Sequence, residues 1–240
     1  MRWDELTQFQ DFESKANALA ELIEDEFPIR TQQNEVQFQV GPQGVLPLPS
    51  TTSVHQLNSK DDSLRVYFAP TFLTLETAKY SSRDEFCGKF EQLLRHVSSI
   101  ATIPRAVRVG FRYVNRIESA TGFDELESLV RPEVLGGRNI GGLGSAVVRH
   151  TLSETLFGTA RGNLLTKWGI LPIGGSIDPT IEPVNSPSWV LDLDAFSDTK
   201  VDFAPGALTR QVRELSSLGY GFFRWAVTPA FIERFEGEAE

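Results

Sequence analysis

The chain has 240 residues, 40% of them apolar, and its 23 Lys and Arg against 32 Asp and Glu give a formal charge of −9. That is enough apolar chain to fill a core without staples, and the acidic balance works against unspecific binding to phosphate backbones or anionic lipid. The single Cys87 excludes an internal disulfide framework, no apolar h-region follows Met1-Arg2-Trp3-Asp4, and no apolar run approaches the ~20 residues of a membrane span, so the expectation is a soluble cytoplasmic protein without a membrane partner.

From Glu5 to Phe27, the apolar residues Phe9, Phe12, Ala16, Leu19, Ile23 and Phe27 recur mostly three or four apart, which predicts an amphipathic helix capped by Asp4 and stopped by Pro28. Glu35 to Val40 alternates and reads as a half-buried strand. Gly41 to Ser50, with Pro42, Pro47 and Pro49, reads as a surface loop whose extended form would suit peptide-like docking. Thr51 to Asn58 is a weak strand. Leu64 to Ala69 and Phe72 to Tyr80 form an antiparallel hairpin about Pro70-Thr71. Ser82-Arg83-Asp84-Glu85 then has the capping-box pattern, opening a helix whose stripe is Phe86, Phe90, Leu93, Leu94, Val97 and Ile100. Cys87, one position off that stripe and with its only nearby histidine, His96, on another part of the same helix, is read as structural.

Val107 to Ile117 is the clearest strand in the chain. Val107, Val109, Phe111, Tyr113 and Ile117 fall on one face, and Arg108, Arg112 and Arg116 fall on the other. The segment Gly110-Phe111-Arg112-Tyr113-Val114-Asn115-Arg116-Ile117 resembles the G-L-R-Y-I-N-R-I hallmark strand of a sporadically distributed, uncharacterised prokaryotic family. Phe72 to Leu75 with Tyr80 and Phe86 resembles that family's second hairpin strand and following helix, and Trp189 to Phe196 resembles its L-D-I-D-x-F strand. The resemblance covers most of the chain and implies no activity, cofactor or catalytic residue. It does imply a strand ahead of the first helix, so the sheet edge there is expected to be short.

Phe123 to Val130 reads as a short helix ended by Pro132. Gly141-Gly142-Leu143-Gly144-Ser145 is a turn rather than a phosphate loop, because a strand follows it and no Gly-Lys-Ser/Thr appears. Ala146 to Phe157 and Asn163 to Pro172 form a hairpin about Gly158 to Gly162. On its first strand His150 and Glu154 share a face but lie roughly 13 Å apart and need not touch. Gly174 to Ser188 is a long loop, and Trp189 to Phe196 is the last strand, with Asp192 and Asp194 on one face. A closing helix from Pro205 carries Leu208, Val212, Leu215, Phe222 and Trp225, interrupted at Gly219 and Gly221; Glu236 to Glu240 is an acidic end.

These elements give an α+β protein: a mostly antiparallel sheet packed by about three main helices, in one domain over 1–240, with 1–118 and 119–240 as an alternative division into two pseudo-repeated α-β-α lobes. The constellation to weigh is Arg108, Arg112, Asn115 and Arg116 with Asp192 and Asp194. Cross-strand pairing makes it structural; an unpaired row of guanidiniums would instead grip an anionic ligand, a nucleic acid or an acidic partner bidentately. His55, His96 and His150 have no ligand spacing, so no metal is expected, and neither a nucleophile elbow nor a Walker sequence points to an enzyme or a cofactor. The sequence thus favours a non-enzymatic binding or assembly module for a protein partner or a homo-oligomer. Recognition of nucleic acid or an anionic nucleotide through Arg108, Arg112 and Arg116 is the alternative.

Overall fold

The structure, a computed structural model, describes every residue except 42–43, 119–121, 140–147, 178–180 and 236–240, and for 35–41 and 44–51 the backbone alone. Two compact units make up the α+β fold: residues 1–109 with 198–213, and residues 110–197 with 214–240.

In the first unit, the predicted opening helix is interrupted. A 3-10 turn at Thr7–Phe9 precedes helix α1, Phe12–Ile23, and it is Asp11 that accepts from the Ser14 amide (3.4 Å), while Asp4 is held by Arg105 at 2.8 Å. Phe12, Ala16, Leu19 and Ile23 are buried, which is the stripe that the spacing predicts. Four antiparallel strands follow in sequence: β1 (Ile29–Gly41), β2 (Gly44–Asn58), β3 (Leu64–Ala69) and β4 (Phe72–Thr77). The proline-rich stretch expected as a loop is therefore strand, with Val36 opposite Pro49 and Phe38 opposite Pro47. The prolines are tolerated because they stand two residues apart, so both missing amides face away from β1, and β3 pairs with β2 only from His55 onward. Pro42 lies outside the described residues.

The buried face of this sheet carries Leu57, Val66, Phe68, Leu73 and Leu75, with Phe12 5.1 Å and Phe9 6.1 Å from Phe68 between ring centroids. Met1 to Trp3 lie along β4: the Leu73 amide donates to the Met1 carbonyl, and the Trp3 amide to that of Thr71. Arg2 also bridges to Arg108. Helix α2, Arg83–Ile100, starts as its box predicts on the Ser82 side, with the Glu85 amide donating to Ser82 Oγ (3.2 Å); the Glu85 carboxylate accepts from Ser81 instead. A two-residue strand β5, Arg105–Ala106, pairs with a partner at Val201–Asp202.

The second unit repeats that order of elements. Strand β6, Val109–Glu118, is followed by a short helix α3, Leu126–Leu129, entered through a 3-10 turn at Phe123–Glu125. Then come β7 (Ser153–Thr159), β8 (Gly162–Leu171) and β9 (Ser188–Ser197). The sheet order is β6-β9-β8-β7. Gly110 lies against Ala195 and Asn115 against Leu191, so β6 and β9 run in opposite directions. In both units, then, a first segment pairs antiparallel with the last strand of a meander, and a helix stands between them in sequence. The Val201–Asp202 strand is β10.

The hairpin expected about Gly158 to Gly162 turns more tightly, between Thr159 and Gly162. Gly162 has φ +138° and a Cβ there would sit 2.5 Å from the Phe196 carbonyl, so only glycine fits. Residues 148–152 are not strand, and the Gly141 to Ser145 turn lies outside the described residues. Strand β9 is buried on both faces from Ser188 to Leu193. Helix α4, Pro205–Ala226, buries Leu208, Val212 and Leu215 as predicted, but Trp225 is exposed with the Arg131 guanidinium over its ring. Helix α5, Pro229–Phe235, follows. Among the described residues no helix is long and apolar enough to cross a membrane.

Candidate functional site: the arginine strand and the edge of its sheet

Alternation along β6 places Phe111, Tyr113 and Ile117 on one face and Arg112, Val114 and Arg116 on the other. The first set packs. Phe111 and Ile117 are buried, and the Tyr113 hydroxyl meets Ser216 Oγ of α4 at 2.8 Å. Gly219 explains its own presence in that helix: a Cβ there would stand 3.3 Å from the Tyr113 ring.

In the second set it is Arg112 that an acid claims. Arg112 donates from Nε to Asp192 Oδ1 (2.7 Å) and from Nη2 to Oδ2 (2.8 Å), a bidentate fork on a carboxylate only 5% exposed. In register with Asp192 on β8 stands Lys167, and in register with Lys167 on β7 stands Glu154, whose carboxylate lies 3.2 Å from the ammonium. Arg112, Asp192, Lys167 and Glu154 thus form one row of alternating sign across all four strands, summing to zero charge. Opposite charges facing each other stabilise a sheet, and the row presents no uniform field to an anion.

Arg108 lies in the first unit, one residue before β6 begins, and donates to Asp198 at 3.2 Å. The expected strand from Val107 is shortened there because the Val107 and Arg108 backbone pairs with Arg2. Asp194 is half-buried, level with Leu165 on β8. Asn115 Nδ2 reaches the Leu191 carbonyl at 3.4 Å. Arg116 differs from the others. Its Nη1 donates to the Glu182 carbonyl (2.6 Å), while Nε and Nη2, the edge that Arg112 uses on Asp192, are buried without an acceptor among the described residues.

Two features went unseen in the sequence. One is a polar cluster on the first unit's sheet. Buried His55 accepts at Nδ1 from the Arg30 guanidinium (2.7 and 3.0 Å), so the ring proton sits on Nε2 and is donated to Glu13 Oε1 (3.0 Å). Both ring nitrogens are bonded and the ring is 1% exposed, so neither faces solvent. Spacing between α1 and two strands hid this cluster; only the pairing of β1 with β2 brings Arg30 near His55. The other feature is at the outer edge of the second sheet, where Leu152, Leu156 and Phe157 are exposed, Leu156 at 61%. Phe157 continues into a ring cluster with Phe222 (5.9 Å), itself against Trp168 (6.2 Å) and Trp225 (5.1 Å).

Perturbed titrating groups stand apart from one another. Burial pushes the Cys87 thiol up, with Arg213 and Arg83 pulling weakly the other way, and burial likewise raises the Tyr67 phenol. The Asp61 carboxyl is held well below the usual carboxylate range by Lys79 and by the hydroxyls of Ser63 and Ser59, on an exposed turn. Among the described residues no group of acids, His and Cys could hold a metal ion. A raised, buried thiol predicts that Cys87 reacts with a thiol reagent only on unfolding; complete labelling of the folded chain within minutes would contradict its structural role.

Compared with protein-family models, with curated proteins and with solved structures, the chain matches none.

Proposed function

We propose that the chain is a non-enzymatic binding or assembly module of the cytoplasm, acting on a protein partner or on further copies of itself, and that it belongs with the uncharacterised prokaryotic family whose hallmark strand it resembles. The observation that carries this reading is a contrast within one sheet. The cationic strand, the feature most suggestive of ligand binding, spends Arg112 on a neutral ladder, whereas the far edge of that sheet leaves Leu152, Leu156 and Phe157 in solvent. Large apolar side chains grouped at an exposed edge favour contact with protein rather than with a charged small molecule.

A second reading, recognition of an anionic group, has one observation in its favour: the buried Nε/Nη2 edge of Arg116, without an acceptor among the described residues, has the fork geometry that a carboxylate or phosphate matches. Titration with labelled single- and double-stranded oligonucleotides at low salt separates the two. Unchanged mobility is expected. A salt-dependent shift, lost in Arg112→Ala and Arg116→Ala, would move the function to the second reading.

A further inference from the structure

We propose that β7 is a self-pairing edge: two copies of the chain join by antiparallel β7–β7 hydrogen bonding centred on Leu156, making one continuous sheet from two four-stranded ones. This rests on the assembly reading above and names its interface.

The backbone dictates which residues are available. The β7–β8 hairpin closes on the Thr159–Gly162 pair, with Thr159 and Gly162 flanking a two-residue turn, and antiparallel pairs alternate between exchanging and not exchanging hydrogen bonds. Ser153, Thr155, Phe157 and Thr159 therefore turn their amides and carbonyls toward β8. Glu154, Leu156 and Gly158 turn theirs outward, at the end of the sheet order. Sheet edges are ordinarily blunted by proline, by lysine, by a bulge or by a free inward-pointing charge. Ser153–Thr159 has no proline or lysine, its pairing with β8 runs without a register shift, and its one charge, Glu154, is already matched by Lys167.

What makes a second copy the occupant is the register. Outward-facing residues must pair with outward-facing residues, so two-fold pairing is limited to a few offsets. Centring on Glu154 sets two carboxylates opposite each other, centring on Thr155 or Phe157 pairs only five of the seven residues and sets Leu156 against Glu154 or Gly158, and centring on Gly158 leaves most of the strand unpaired. Centring on Leu156 uses the whole strand: Leu156 faces its partner's Leu156, Glu154 faces Gly158, and Thr155 faces Phe157. No like charges meet, and the exposed leucine is covered by its own copy, while the β-branched Thr155 comes against the Phe157 ring at the margin of the Phe222 cluster.

Sedimentation velocity of the full chain across a concentration series tests this, together with Leu156→Lys and Leu156→Glu. Leu156 is exposed in the single chain, so neither substitution disturbs the fold, as circular dichroism will verify. The wild-type chain is expected to dimerise. Each variant alone sets like charges face to face and weakens the dimer by roughly 100-fold. An equimolar mixture of the two variants sets opposite charges there and dimerises again. A wild-type chain that stays monomeric throughout overturns the inference and self-assembly together. A wild-type dimer that both variants share unchanged, or variants that do not recombine on mixing, overturns the β7 interface alone and leaves assembly through another surface standing.

Discussion

Trp189→Ala is expected to cost the second unit about 3–5 kcal/mol, the range for removing a large aromatic side chain from a packed core. Trp189 is wholly buried on β9, the strand with neighbours on both sides, and its indole Nε1 donates to the Val134 carbonyl at 2.8 Å. That bond ties the 3-10 turn at Pro132–Val134 to the sheet. The alanine variant loses the packing and also orphans a carbonyl. Trp189→Phe keeps most of the ring volume and isolates the second effect, about 1–3 kcal/mol. Urea unfolding of the three proteins followed by circular dichroism measures both; equal midpoints for wild type and Trp189→Ala would mean that β9 is not the centre of this unit.

Arg112→Met is expected to destabilise by about 3 kcal/mol, more than Asp192→Asn does. The asymmetry follows from exposure. Deleting the arginine leaves a carboxylate that is nearly inaccessible to water, with Lys167 standing in register with it, whereas deleting the charge of Asp192 leaves a guanidinium with 30% of its surface already in solvent. The double variant Arg112→Met/Asp192→Leu should recover much of the loss, because a buried pair replaced by apolar groups costs little once neither charge is stranded. A double-mutant cycle on unfolding free energies gives the coupling; strictly additive losses would show that the fork contributes nothing to stability.

Much of this architecture was legible because its periodicities are local. The α2 stripe and its Ser82 cap, the hairpin about Pro70-Thr71, and the alternation of β6 and β9 all depend on residues within a few positions of one another. What was illegible is long-range. The prolines at 47 and 49 signal a loop unless it is known that β3 leaves that part of β2 unpaired. The spacing predicts too long an opening helix because Phe9 continues its period by chance, its ring going to the Trp3 and Phe68 cluster from a separate turn. For the candidate site, the pairing of Arg112 with Asp192 was foreseeable from two amphipathic strands, but Lys167 and Glu154 were not. Their roles appear only when the register sets four strands side by side. Arg108 shares the period of Arg112 and Arg116 yet works in the other unit, since a strand's alternation says nothing about where its pairing begins.

The most direct test of the whole reading is the native mass of the protein purified from its own host at low salt, with analysis of anything that denaturation releases. The expected result is a mass of two or more whole chains, or of the chain together with another protein, and no phosphate-bearing molecule. A single chain carrying a nucleotide or an oligonucleotide would contradict it.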